Sequence, residues 1–175
     1  YYHKRKLVPF GEYTPWYDTV IKLSDSLDIP LSNLSHGSNY QKEIFFNNTK
    51  LLPVICFEST FPNLLKSDLE NEIIINISND SWFGNSLGPY QHLQITQIRA
   101  LEFNRYILRA ANTGLSAVIN NYGEIVEYIP INKQGRLSGS APINLDRSFY
   151  SRYGDIFVLM LLFLTLLSKG LIRHK

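Results

Sequence analysis

This 175-residue chain has one cysteine, one methionine and two tryptophans. A lone cysteine excludes an internal disulfide, so the chain is no disulfide-stapled scaffold, while the redox compartment stays open. Strong charge of either sign is missing too. A formal net charge of +2 is too small to suggest a nucleic-acid partner. There is no internal repeat and no low-complexity tract. The chain opens on YYHKRK, without an initiator methionine or a signal peptide, and closes on an apolar run with a basic tail. Both ends lead us to expect a piece of a longer protein. What remains is ample for one core: 45% of the residues are hydrophobic.

The stretch LLPVICFESTFP, Leu51 to Pro62, carries that only cysteine, Cys56, at its centre. Leu51, Leu52, Val54 and Ile55 read as a buried strand that stops abruptly at the thiol and gives way to an acid and two hydroxyls. Two readings stand for Cys56. It is a small core hydrophobe, as buried cysteines usually are, or a nucleophile displayed at the end of a rigid strand.

Upstream, Tyr1 to Val8 is expected to be a strand ending at the turn marked by Pro9 and Gly11. Pro15 to Leu27 follows as a helix, and Asp28 to Asn48 as an irregular excursion with room for one hairpin near the Ile44–Phe46 patch. Downstream, Phe61 to Glu70 reads as a short helix. Glu72 to Ser78 (EIIINIS) reads as a strand buried on both faces. The turn-rich loop Asn79 to Pro89 holds Trp82 and Phe83, more often core residues by base rate. Tyr90 to Ala111 is expected to be the longest helix, with Glu102 and Arg105 paired three residues apart. Leu115–Asn120 and Glu124–Ile129 flank NNYG as a hairpin, and Ala141–Leu145 forms a last short strand. Strands alternating with helices imply a layered α/β fold.

Ile156 to Leu167 (IFVLMLLFLTLL) is uncharged and apolar on every side. Twelve residues fall short of the roughly 20 that cross a bilayer. Extension through Ile172, with Lys169 snorkelling, lengthens the run, and Lys169, Arg173 and Lys175 favour a cytoplasmic tail. The expectation is a transmembrane helix; the competing reading is a buried core helix.

A catalytic thiol needs deprotonation, a proton shuttle and a partner for the oxyanion. Lys4, Glu12, Glu58 and His92 are the candidates. A Cys–His dyad on His92 is the usual guess, but nothing near His92 resembles a cysteine-protease signature. Taken together, YHKRKLVPFGEY, PVICFE, NISNDSWFG, GPYQH and RALEFNRYILRAANTG resemble the apolipoprotein N-acyltransferase family, the membrane-bound branch of the nitrilase (carbon–nitrogen hydrolase) superfamily. The resemblance covers nearly the whole chain and is weakest between Asp28 and Asn48.

That resemblance implies an αββα sandwich, here partial, over residues 1–150, then a transmembrane helix and cytoplasmic tail over 151–175. It also implies a Glu–Lys–Cys triad working without cofactor or metal. Lys4 matches the triad lysine and Cys56 the nucleophile; Glu12 and Glu58 match two further acidic residues of the site. Lys4 would lower the thiol pKa and help hold the oxyanion, with the backbone N–H of Phe57 as second donor. Glu12 and Glu58 would orient Lys4. The loop bearing Trp82 and Phe83 would line an acyl groove. The triad's general-base glutamate belongs to a motif upstream of Tyr1, so this chain by itself is expected to be inactive.

The activity so implied moves an acyl chain from a phospholipid to Cys56 as a thioester. The chain then passes to the N-terminal amine of the diacylglyceryl-modified cysteine of an apolipoprotein. The catalytic domain would lie on the periplasmic side of the bacterial inner membrane. One alternative is a carbon–nitrogen hydrolase acting on a small amide; another is a membrane-tethered binding relic without chemistry.

Overall fold

The computed structural model describes residues 1–17, 20, 32–66, 72–144 and 146–173. Its centre is a six-stranded mixed sheet: β1 (Ile44–Phe46), β2 (Thr49–Ile55), β3 (Ile73–Ser78), β4 (Tyr106–Ala111), β5 (Ser116–Ile119) and β6 (Ile125–Ile129), in that spatial order. The three central strands, β2 to β4, run parallel, and antiparallel hairpins flank them on both sides. The β1–β2 hairpin turns on Asn47 and Asn48, both left-handed (φ 46° and 66°), the conformation a two-residue turn between twisted strands requires. The excursion after Asp28 thus ends as a hairpin with the cysteine strand. The expected β5–β6 hairpin forms, with Gly123 at φ 78° in its turn.

Parallel neighbours need crossovers, and short helix α1 (Pro62–Lys66) and long helix α2 (Gly88–Phe103) supply them. Both pack on one face of the sheet: Leu65, Leu93, Ala100 and Phe103 close over Leu52, Val54, Ile74 and Ile107. The other face stays half-covered, and Ile77 is 55% exposed. This corrects the expectation that β3 is buried on both faces. Its apolar run is continuous, but the described residues place helices on one side only and contain no second sheet of a sandwich.

The expected long helix also stops early. Asn104 adopts the left-handed conformation (φ 54°, ψ 46°) and caps α2, its N–H bonding back to Leu101. Residues 106–111 then pair with β3 along six register positions as β4, the ladder of a central strand overriding a composition (YILRAA) that also suits a helix. Glu102 consequently pairs with Arg99, not Arg105, whose Nη1 donates to the carbonyls of Asn104 (3.0 Å) and Asp146 (2.9 Å).

Residues 1–8 are not a strand, and residues 141–144 form none either. The N-terminal segment makes only isolated bridges, Pro9 with Tyr13 and Tyr13 with Asn33. Most of the helix expected over Pro15–Leu27 and the end of the one expected over Phe61–Glu70 lie outside the described residues.

After coil, Ser148 caps a short helix, α3 (Phe149–Tyr153), its Oγ accepting from the Ser151 N–H at 2.9 Å. Helix α4 (Ile156–Arg173) follows. Among the described residues no helix is long and apolar enough to cross a membrane. The uninterrupted apolar run, Ile156–Leu167, spans about 18 Å at helical rise, against about 30 Å of hydrocarbon. The buried-core reading is overturned: the apolar side chains from Ile156 to Leu167 are 46–64% exposed, on every side of the helix.

Candidate active site

Because β2, β3 and β4 are parallel and in register, the residues after their carboxyl ends emerge side by side, where open α/β sheets place their ligands. Those residues are Cys56, Asn79 and Asn112. Cys56 is left-handed (φ 49°), a strained conformation for a residue with a side chain, and opens a 3₁₀ turn over Cys56–Thr60. Its Sγ lies 3.9 Å from the Asn79 carbonyl oxygen, and Asn112 Nδ2 steadies Asn79 through its Oδ1 at 2.6 Å. The thiol is partly exposed at a cavity of about 970 Å³ with largely apolar walls.

Lys4, Glu12, Cys56, Phe57, Trp82 and Phe83 all line that cavity. Lys4 Nζ donates to both Glu12 oxygens at 2.7 Å, and Glu12 Oε2 also accepts from the Val8 N–H at 2.8 Å. The carboxylate thus folds the N-terminal turn and holds the ammonium on the cavity wall. Trp82 and Phe83 sit on a 3₁₀ turn, Asp80–Phe83, outside the core; the Trp82 ring is 68% exposed. Phe57 leans edge-on against Phe61 at 5.1 Å.

Glu58 is placed differently. Fully buried behind the cavity, its carboxylate accepts from the backbone N–H groups of Ile55 (2.7 Å), Arg5 and Lys6 and from the Tyr2 hydroxyl (3.0 Å). Lys4 Nζ is not among its partners. Glu58 therefore pins the N-terminal segment to the end of β2 through main-chain donors, which is why that segment stays ordered without a strand ladder. Burial, and then the Glu58 charge, push the Tyr2 phenol well up, so it remains a donor.

A second constellation lies beneath the thiol, and sequence reasoning passed over most of it. Asp80, His92 and Arg109 are each at most 5% exposed. His92 Nδ1 faces Asp80 Oδ1 at 2.9 Å, and Arg109 Nη2 donates to Asp80 Oδ2 at 2.6 Å. His92 Nε2 faces the Cys56 carbonyl oxygen at 3.1 Å and Ser59 Oγ at 3.0 Å. Burial alone raises the Asp80 pKa. Hydrogen bonds from His92 and Ser78, with the Arg109 charge, outweigh it and hold the carboxyl below its usual range. Burial pulls the Arg109 pKa down, while Asp80 and then Cys56 oppose the shift.

A β-carbon on Gly114 would come within 2.0 Å of Asp80 Oδ2, so the glycine of AANTG is the room this carboxylate occupies. The readable signal was alternation: with 106–111 as a strand, Arg109 shares the core face with Ile107, where a charge demands a partner.

Donor atoms of Cys56, Asp80 and His92 lie within 4.8 Å of one another, a grouping compatible with a metal. Here both Asp80 oxygens and both ring nitrogens of His92 already meet protein groups, one of them a guanidinium that repels a cation. The set is built as a hydrogen-bond network.

Known proteins point the same way. A family model described as carbon-nitrogen hydrolase matches residues 1–144. The chain is 41% identical to the apolipoprotein N-acyltransferase of Pseudomonas paraeruginosa over 139 residues, 79% of this chain and 27% of that protein. With the Nitrosomonas europaea protein of the same name it shares 39% over 171 residues, 97% of this chain and 34% of that one. The chain thus spans about a third or less of the curated relatives it matches. Among solved structures, the Caenorhabditis elegans NitFhit protein superposes with a TM-score of 0.52 at 16% identity, covering 74% of this chain and 31% of that one, a likeness of fold. With the model matching the chain from its first residue through the whole sheet, the chain belongs to the carbon–nitrogen hydrolase family.

Proposed function

We propose that this chain carries the nucleophile-bearing part of an apolipoprotein N-acyltransferase. The observation that carries the reading is the cavity at Cys56: about 970 Å³ with largely apolar walls, at the upper end of what encloses a drug-sized ligand. A small amide needs neither the volume nor the apolar walls, whereas a phospholipid acyl chain uses both. The names of the relatives agree, as does the exposed apolar surface of α4, which we assign to a membrane anchor with its basic end on the cytoplasmic side. Residues 1–150 then form the catalytic part on the periplasmic face of the inner membrane.

In this reading the Cys56 thiolate attacks the ester carbonyl of a phospholipid and a tetrahedral oxyanion forms. Collapse expels the lysophospholipid alkoxide, which takes up a proton, and leaves an acyl thioester on Sγ. The α-amine of the diacylglyceryl-modified cysteine attacks that thioester in turn, giving its proton to the same base that served the thiol, and collapse releases the thiolate and leaves an amide. Lys4, held at the cavity wall by Glu12, stabilises the thiolate and the oxyanion, and the Phe57 N–H is the second donor. A lysine engaged by two carboxylate oxygens is a poor base, so the thiol proton passes to the glutamate that the resemblance places upstream of Tyr1. Trp82 and Phe83 line the acyl path. Glu58 supports the site by holding the backbone of Arg5 and Lys6.

The test is to incubate the full-length enzyme with phospholipid and look by mass spectrometry for a hydroxylamine-sensitive acyl adduct on Cys56. An adduct is expected. Its absence under conditions that support transfer, or a preference for small soluble amides over phospholipid, would overturn the reading.

A further inference from the structure

A strained backbone conformation persists only where its surroundings hold it. Cys56, just past the end of β2, is left-handed, and its carbonyl meets buried groups of the core. Two groups meet that carbonyl: Ser59 Oγ donates to it at 3.0 Å, and His92 Nε2 lies 3.1 Å away.

The ring is gripped from behind. A carboxylate only accepts, so Nδ1 donates to Asp80, and Asp80 is itself anchored by Arg109. Arg109 Nη1 donates to Asn76 Oδ1, and Asn76 Nδ2 donates to the Val54 carbonyl at 3.0 Å. The network therefore starts on Val54, crosses β3, β4 and α2, and returns at Cys56, the first residue after the same strand. It grips β2 on both sides of Ile55.

We propose that His92 is a positioning residue for the nucleophile: held by Asp80 at Nδ1, it sets Nε2 against the Cys56 carbonyl and the Ser59 hydroxyl that bonds it, and so locks the left-handed turn that presents Sγ to the cavity. The inference rests on the reading of Cys56 as nucleophile and adds to it a residue that touches no substrate. Though near Sγ, the imidazole is not the base for the thiol. Its nitrogens are engaged by Asp80 on one side and by Ser59 and the carbonyl on the other. Loss of the ring frees the turn to relax toward ordinary backbone angles, moving Sγ off its line of attack. A misplacement of about 1 Å typically costs about 10²-fold in rate.

The test exploits a geometric difference between two amides. Glutamine at position 92 places its terminal amide where Nε2 stood, while asparagine places it where Nδ1 stood. The measurement is the rate of Cys56 alkylation by iodoacetamide in the full chain, folded, divided by the rate for the same chain in urea. Near-ultraviolet circular dichroism reports folding. His92→Ala should lower the ratio about tenfold to a hundredfold, His92→Gln should restore most of it, and His92→Asn should not. Rescue by asparagine instead, wild-type ratios in all three variants, or loss of the folded signal in all three would overturn the proposal. A wild-type thiol no faster folded than in urea would sink the nucleophile reading itself. A fast wild-type thiol matched by His92→Ala would sink only the role of His92.

Discussion

Toward the cavity, Cys56 shares its surroundings with a lysine–glutamate pair that is 11% and 22% exposed, and with aromatic walls. Toward the core, the same residue meets Asp80, His92 and Arg109, at most 5% exposed and each engaged by protein groups. Both regions hold opposite charges at hydrogen-bond distance, yet they do different work. The pair on the cavity wall keeps access to an incoming group, so its charge can act on a substrate. The buried set has no capacity left, so it acts on the backbone and on stability. A catalogue of ionisable residues near the thiol would merge the two; exposure and saturation separate them.

The comparison can be broken most directly at the thiol. In the full-length enzyme, Cys56→Ser should abolish the hydroxylamine-sensitive acyl adduct, and its survival would move the chemistry elsewhere. Next is the front pair. Lys4→Ala should lower turnover by about 10²- to 10⁴-fold, the usual range for a positioned proton-transfer or charge-stabilising group. Lys6→Ala should leave most activity, because Lys6 is exposed and rests over the Phe61 ring at 5.7 Å. Equal, mild losses from both would reduce the front pair to a solvated patch.

Behind the thiol the readout shifts to stability. Asp80→Asn leaves Arg109 buried without its carboxylate and should cost about 3–5 kcal/mol in urea unfolding. The folded Asp80 pKa is depressed, so its contribution is complete above the unfolded value of about 3.9 and is lost as pH falls through the folded one. The wild-type chain should therefore lose stability in that acid window, and Asp80→Asn should lack that part of the slope. Matching pH profiles would mean that the carboxylate is not what the core depends on.

The smallest effect is expected at the rim. Trp82→Ala removes an exposed ring and should change stability by no more than about 0.5 kcal/mol. It should weaken long-chain acyl donors more than short ones; an effect independent of chain length would take Trp82 out of the acyl path.

Several of these assignments were legible in the sequence because they rest on local pattern. The apolar run ending at Cys56 announced β2, NNYG announced the β5–β6 hairpin, and the ordered motifs announced the family. The errors were of one kind. Residues 106–111 carry no local mark that says strand and not helix; the six pairings with β3, beyond the reach of any short window, decide it. Residues 1–8 have strand-like composition, but their donors found a buried glutamate some 50 positions away. Glu58 was recognised by its motif and misjudged in its target, since a motif names a residue without saying where its carboxylate points.

By itself, then, the sequence determined the strand that leads to Cys56, the layered α/β character and the family, because periodicity and contiguous motifs are properties of neighbours along the chain. The left-handed turn at Cys56, the pairing of Lys4 with Glu12 alone, and the ring of contacts through Asp80, His92 and Arg109 were decided only in three dimensions. The physical reason is burial. Once the sheet closes against α2, each polar group left inside must find a partner or incur a penalty of a few kcal/mol. Which partner it finds depends on elements brought together across as many as 56 positions of chain.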